Sequence, residues 1–298
     1  MAAAPGPRPG WDTEGVSDAE WARHWRCEEL PGLDLLRARY VDHTFPRHTH
    51  EGYVLGAVAG GVEEVGTPGG VIRAVPGSVV MINPEVPHTA RAGVPEGWSY
   101  YTLYPSAELV REIAEETLAL RGTPAFAESY VLDERTSALI GGVHRAAEAG
   151  NPLAADSMLR LAVARLLRRC GAPAPVRAQP GAGAGVAARA REILEERMAE
   201  PPTLGTLAAE LAASPFALSR AFRERYGLPP HAWLTDARVR RARGLLEDGL
   251  PPAAAAVTVG FTDQAHLGRH FRRIVGVPPG AYQRERARTY KTGDGPTA

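Results

Sequence analysis

The stretch GFTDQAHLGRHFRRIVGVPPGAY, Gly260–Tyr282, repeats a pattern met earlier as LSRAFRERYGLPPHAW, Leu218–Trp233. Setting Leu218 against Leu267 gives an offset of 49 residues that holds along the whole run. Arg220 then matches Arg269, Phe222 matches Phe271, Arg223 matches Arg272, and Gly227 matches Gly276. Pro229–Pro230 match Pro278–Pro279, and Ala232–Trp233 match Ala281–Tyr282. A fixed period with this many identities marks a duplicated supersecondary unit. Two copies are too few for a solenoid, so the unit has some other reason to come in a pair.

On a helical wheel Leu267, Phe271 and Ile274 fall within about 60° of one another and form a stripe for burial. Ala265, Gly268, Arg269 and Arg272 lie opposite. In the first copy Leu218 and Phe222 form the stripe, while Phe216, Ser219, Arg220 and Arg223 face away. A face of small residues and arginine suits a helix lying in a DNA major groove. Small side chains allow close approach, and Arg can donate two hydrogen bonds to guanine. A short helical stretch precedes each copy: TLGTLAAELAAS before Pro215, and PPAAAAVTVGFT before Asp263, with Gly260 where a sharp turn needs positive φ. Helix, tight turn and outward basic helix is a helix-turn-helix. The plainer alternative, a helical hairpin with solvated arginines, is weakened by the second matched copy.

Between the copies, His231–Asp248 reads largely as one helix with Leu234, Leu245 and Leu246 turned inward. Its 18 residues span roughly 27 Å, close to the roughly 34 Å between successive major-groove windows on one DNA face. Arg238, Arg240, Arg241 and Arg243 on this connector are candidates for phosphate contact or for a solvated charged face.

Charge supports the same division. Residues 186–291 hold 17 Lys+Arg against 11 Asp+Glu, while the remainder holds 17 against 23, in a chain of zero net charge. Such asymmetry points to a polyanionic partner for the C-terminal part.

With these motifs in view, residues 186–287 resemble the AraC/XylS-type bacterial transcription regulators. The resemblance implies a seven-helix domain whose two helix-turn-helices read adjacent major grooves of double-stranded DNA. By matching position it implies base-facing residues Phe216, Ala217, Ser219 and Arg220 in the first recognition helix. In the second it implies Gln264, Ala265, Gly268 and Arg269. The usual Ile-Ala before the second turn is replaced by AAAAV, and Gly268 offers no side chain. The first reading head is therefore expected to carry more of the specificity.

The N-terminal half has a different texture. YVLGAVAG, GVIRAVPGSVVMINP and WSYYTLY are short apolar runs broken by Gly and Pro, which read as antiparallel strands. In FPRHTHEGYVLG, His48 and His50 share one strand face, and PGSVVMINPEVPHTAR adds His88. His-x-His, Pro-Gly and a later His resemble the cupin barrel, including the sensory cupin domains of these regulators. In metal-binding cupins three such histidines and a Glu hold one divalent ion. Here Val54 and Leu55 stand where that Glu would fall. Two readings stay open: His48, His50 and His88 bind a divalent metal such as zinc, or they line a metal-free effector pocket. Tyr53, Trp98, Tyr100 and Tyr101 are candidates for the pocket's aromatic lining or for plain core.

The expected architecture is therefore β followed by all-α. An extension (1–30) precedes a cupin-like barrel (31–105), a helical segment with a candidate dimer seam (106–170), a Gly/Ala/Pro linker (171–185), the double helix-turn-helix (186–288) and a tail (289–298). Within the helical segment Asn151 is a candidate N-cap, Pro152 fits N1 and Gly171 fits C′. Two distant cysteines, Cys27 and Cys170, and no apolar run near the roughly 20 residues of a membrane helix point to a reducing cytoplasm, with no leader expected. The expected function is a DNA-binding regulator sensing a small molecule, with RNA polymerase and a second copy as further candidate partners. The competing functions are a metal-dependent cupin enzyme, isomerase or dioxygenase, and a non-specific nucleic-acid binder.

Overall fold

The computed structural model describes residues 20–118, 122–173 and 183–288. Most of the expected linker and the whole tail lie outside the described residues. The β-rich part opens with β1 (Trp21–Arg26), β2 (Leu33–Tyr40), β3 (Phe45–His48), β4 (Val54–Gly61), β5 (Glu63–Thr67) and β6 (Gly70–Ala74). It continues through β7 (Ser78–Ile82), β8 (His88–Ala92) and β9 (Trp98–Pro105). Then come α1 (Ala107–Leu118), β10 (Pro124–Phe126), β11 (Tyr130–Leu132), α2 (Glu134–Glu148), α3 (Pro152–Cys170) and β12 (Gly171–Pro173). Seven described helices follow: α4 (Ala184–Glu196), α5 (Leu204–Glu210), α6 (Pro215–Tyr226), α7 (Pro230–Glu247), α8 (Pro252–Thr258), α9 (Gln264–Val275) and α10 (Pro279–Arg288).

The strands do not close into one barrel. They form a six-stranded sheet, β1-β2-β9-β4-β7-β11, a four-stranded sheet, β3-β8-β5-β6, and a small β10-β12 pair. The extension expected over residues 1–30 is also interrupted, because β1 pairs along its full length with β2. Sequence periodicity missed it because Trp21–Arg26 mixes charged and aromatic residues on both faces.

Period-two alternation divides the large sheet into two working faces. Leu33, Leu35, Leu55, Ala57, Val79, Met81 and Leu103 pack with α1, α2 and α3. On the other face, Val54, Val58, Val80 and Ile82 meet Val65 and Ala74 of the small sheet. Leu36, Ala38, Tyr40, Trp98 and Tyr100 continue that face into a core shared with Val239, Ala242, Leu267, Phe271 and Val275 of α7 and α9. The helical domain and the sheets are thus joined by one apolar cluster.

Local signals account for most helix ends. Asn151 accepts from Ala154 N and Pro152 sits in the first turn of α3. Gly171, expected as a left-handed cap, is instead extended at φ −71° and begins β12. A Cβ there would stand 2.2 Å from the Leu167 carbonyl oxygen, so close approach rather than handedness requires glycine. Helix α5 ends at Glu210, earlier than the sequence pattern runs. Leu159, Val163, Leu166 and Leu167 of α3 are buried in the sheet–helix core, whereas Leu153 is exposed.

Phe222 is fully buried in an all-helical cluster with Leu218, Trp233 and Ile193. Phe271 is equally buried, but in the cluster that crosses to the sheets. Phe222→Ala and Phe271→Ala should each cost about 3–5 kcal/mol in urea-unfolding experiments. Only Phe271→Ala should also loosen the docking of the two domains, read as greater protease access at their junction.

Candidate DNA interface and buried pocket

The two duplicated helices are built alike. Ser214 caps α6 by accepting from Ala217 N, and Asp263 caps α9 by accepting from His266 N. Both end in a glycine with left-handed backbone, Gly227 at φ 70° and Gly276 at φ 88°. Leu218, Phe222, Leu267 and Phe271 are fully buried, as the stripe predicts. The opposite faces are open. Phe216, Arg220, Gln264, Ala265 and Arg269 are exposed, and Ala217, Ser219 and Gly268 are half-buried. Nothing lies within 4 Å of a Cβ added at Gly268. Gln264, Ala265, Gly268 and Arg269 share one open concavity with Arg272, Arg284 and the start of α10. A concave face lined by arginine and small residues can receive a phosphate backbone and leave base edges in reach.

The connector arginines behave differently from expectation. Arg238 donates to the Met198 carbonyl at 2.7 Å. Arg240 is bound to Asp236 and to the Thr49 hydroxyl across the domain boundary. Arg243 pairs with Asp34 at 3.3 Å and donates to the Tyr282 hydroxyl. Of the four, Arg241 alone stays exposed. The acids that hold Arg240 and Arg243 include residues about 200 positions away, which local patterning does not reveal.

Asp34 is the hub of that boundary. Its carboxylate meets Arg26 at 2.6 Å, Arg286 at 3.0 Å and Arg243 at 3.3 Å. Burial alone would raise its pKa, but Arg286 and Arg243 outweigh it and hold the carboxyl well below the ordinary carboxylate range. Farther along the junction Arg191 pairs with Glu85. On β1, His24 donates from Nε2 to the Val275 carbonyl at the end of α9, 3.1 Å away. Burial, aided by Arg243 and Arg286, lowers the His24 pKa to about 3, so this ring is neutral. The two glycine caps are also gripped at equivalent positions. A Cβ on Gly227 would stand 2.4 Å from Pro87, and one on Gly276 would stand 2.1 Å from the Tyr40 hydroxyl.

A cavity of about 60 Å³ lies between the sheets and α7/α9. Val54, Val80, Ile82, Tyr100, Thr102 and Tyr104 line it from the large sheet, and Phe45, His48, Glu63, Val65, His88 and Ala90 from the small one. Val239, Arg240, Arg243, Ile274 and Val275 of the helical domain complete the wall. Three expected lining residues are elsewhere. Tyr53 has the parity of Leu55 and lies under the helices, donating its hydroxyl to the Pro124 carbonyl. Trp98 is fully buried in the shared core beside Tyr40 and Tyr100. Tyr101 packs on the helix side against His144.

The three expected histidines do come together at this pocket. One ring nitrogen from each of His48, His50 and His88 lies within 4.8 Å of the others. Nδ1–H of His48 donates to the Pro46 carbonyl at 2.8 Å, and Nδ1–H of His88 to the Val86 carbonyl at 3.1 Å. Those bonds fix the tautomer that leaves each Nε2 as a lone pair, the outer-shell arrangement found around metal-bound imidazoles. The third ring, His50, donates from Nε2 to His48 Nε2 at 3.1 Å. Burial lowers all three pKa values, that of His88 to about 3, so the cluster is neutral. The donor set fits a late divalent ion with an open position.

Sequence reading missed Glu63, Tyr104 and Asp236. Glu63 was visible as an acid on the inward parity of a strand beside Val65. Tyr104 shared the parity of Tyr100 in the same run, whereas Asp236 gave no such signal.

The N-terminal part, residues 30–163, matches the model of the AraC-like ligand binding domain, and residues 207–285 match a helix-turn-helix domain. The chain is 24% identical over 236 residues to the HTH-type transcriptional regulator YbfI of Bacillus subtilis, covering 79% of this chain and 86% of that protein. It is 31% identical over 81 residues to the arabinose operon regulatory protein of Escherichia coli, 27% of this chain and 28% of that one. The ToxT structure from Vibrio cholerae superposes with a TM-score of 0.54 at 11% identity, over 89% of this chain and all of that chain. At that identity the likeness speaks for the fold alone.

Asp34→Ala would leave Arg243 and the buried Arg286 with Glu247, 3.4 Å from Arg286, as the acid remaining beside them. Removing one partner of a buried pair costs about 3–5 kcal/mol, and that loss should appear as a lowered thermal midpoint. Because the folded carboxyl is depressed, its contribution is present above the ordinary carboxylate range and is lost as pH falls below about 4. Wild type should therefore converge on the variant in acid.

Proposed function

Starting from a chain that belongs to the AraC/XylS type of transcription regulators, a ligand-binding β domain joined to a double helix-turn-helix, we propose that a small molecule in the cavity sets how the two reading heads sit on DNA. The observation that carries this reading is the cavity wall itself: α7 and α9 supply Val239, Arg240, Arg243, Ile274 and Val275 to it. A ligand there touches the DNA-binding domain directly. It shifts the protein toward whichever arrangement of domains it binds more tightly. His24 and Tyr40 extend the same contact to the end of α9.

In this reading Phe216, Ala217, Ser219 and Arg220 face bases from α6, and Gln264, Ala265, Gly268 and Arg269 from α9. The first head discriminates more, since Arg220 has full reach and Gly268 has none. His48, His50 and His88 belong to the effector wall, whereas Tyr53 and Trp98 support it from the core. A second copy pairing through α3, whose Leu153 and Leu161 are exposed, and contact with RNA polymerase complete the proposal. No described helix is long and apolar enough to cross a membrane, and the proposed place of action is the cytoplasm, with its DNA.

A second reading follows from the convergent imidazole nitrogens, once His50 turns its lone pair inward: His48, His50 and His88 hold one zinc or similar ion. Such an ion would tie the β3 and β8 ends together and offer a Lewis-acidic position to a ligand. An isomerase or dioxygenase built on it is the less favoured alternative, because the helical domain occupies part of the pocket wall.

Arg220→Ala should reduce discrimination for the chain's own upstream DNA by about 1–3 kcal/mol, measured by titration against competitor DNA. Unchanged specificity would remove the residue from the interface. For the metal reading, elemental analysis should find about one equivalent of a divalent metal, lost in His88→Ala. Metal-free, fully folded protein would end that reading.

A further inference from the structure

Glu63 stands apart from every other acid of the β domain. It lies on β5 with its side chain on the same parity as Val65, and only 7% of its surface is accessible. Its neighbour Glu64, on the outer parity, pairs with Arg73 and Arg91. Glu63 has no hydrogen bond and no ion pair among the described residues, and it lines the cavity between the sheets. Thr102, across that cavity on β9, has a buried hydroxyl that is likewise without a partner. The Tyr100 and Tyr104 rings complete this end of the wall. Native proteins rarely bury a carboxyl without a partner, because the charged form loses its water and gains nothing in return. Burial accordingly raises the Glu63 pKa to about 7.

We infer that the cavity takes a small amine, with Glu63 as the counter-ion of its ammonium group, Thr102 as a second acceptor, and Tyr100 and Tyr104 as aromatic walls. This deepens the proposed regulator function and rests on it. An ammonium supplies what this corner lacks: a positive charge and several N–H donors for acceptors left unsatisfied. Aromatic faces favour a cation further. The rest of the wall, Val54, Val65, Val80 and Ile82, is apolar and suits a short hydrocarbon body. An anionic ligand is disfavoured. Both mouth arginines already hold acids, Arg243 with Asp34 and Arg240 with Asp236, and a carboxylate ligand would face Glu63. The neutral imidazoles of His48, His50 and His88 add no opposing charge. About 60 Å³ of cavity corresponds to about four to six waters, which sets the scale at a short-chain amine.

The test uses the full chain and three probes of equal size: n-butylamine, n-butanol and butyrate, compared by isothermal titration and by thermal shift. Saturable binding of n-butylamine is expected, at least tenfold tighter than either of the others, with a rise in melting temperature. Glu63→Gln keeps the shape and removes the charge, and it should lower n-butylamine affinity at least tenfold. Its melting temperature without ligand should equal or exceed that of wild type, which establishes that the variant folds. Equal binding of the amine by wild type and Glu63→Gln would overturn the inference, as would preference for butyrate or absence of saturable amine binding. Specific binding of upstream DNA is measured on the same preparation. Its loss would remove the regulator reading, whereas intact DNA binding without amine binding would remove only the amine.

Discussion

Asp34 begins β2 with a carboxylate enclosed by Arg26, Arg243 and Arg286, the latter two from α7 and α10. Two arginines from one domain are held in close, mostly buried quarters by one acid from the other. Around them the apolar cluster of Tyr40, Trp98, Val239, Phe271 and Val275 closes out water. Desolvated charges are tolerated only when paired, so each half of this junction requires the other. The sheets, the cavity and the recognition helix α9 are positioned by that mutual requirement. The opposite charge of the two halves of the chain acquires a second meaning here. Part of the basic excess of the helical half answers acids of the β half, at Asp34, Glu51 and Glu85, and the remainder is left for a polyanion.

This junction gives the regulator a short path from pocket to DNA. The cavity wall includes Ile274 and Val275, the last turn of α9. The same turn ends at Gly276, packed on Tyr40, and accepts a hydrogen bond from His24. The first head is touched by Pro87 at Gly227, with the Arg191–Glu85 and Asp236–Thr49 contacts beside it. The last turn of the second recognition helix is thus part of the cavity wall, and that of the first is not.

Much of the helical domain was legible in the sequence. The 49-residue repeat located both recognition helices, and the Leu–Phe stripes named their buried faces correctly. Gly260 has the positive φ its turn required, at 87°. The three histidines do converge, His48 and His88 as paired partners of β3 and β8, and His50 two residues past the end of β3 rather than on a shared strand face. The failures share one cause. Both faces of the large sheet are buried, so parity alone could not say that Tyr53 lies under the helices or that Trp98 belongs to the shared core. Arg243 was open to a phosphate contact or a solvated face because its acid, Asp34, comes from the other domain, whereas the acid that holds Arg240, Asp236, lies four residues earlier on the same helix. Glu63 was overlooked beside Glu64 although its inward parity was available.

The central claim is that the two domains are docked as one unit through the Asp34 cluster and the shared core. Distance measurement between spin labels tests it most directly. Val71 on the small sheet and Val257 on α8 are both exposed, and Val71→Cys with Val257→Cys, in a chain carrying Cys27→Ser, places one label on each domain. The free protein should give a single narrow distance distribution that broadens when Asp34→Ala is added. A broad distribution in the unmodified background, indifferent to Asp34, would contradict the account.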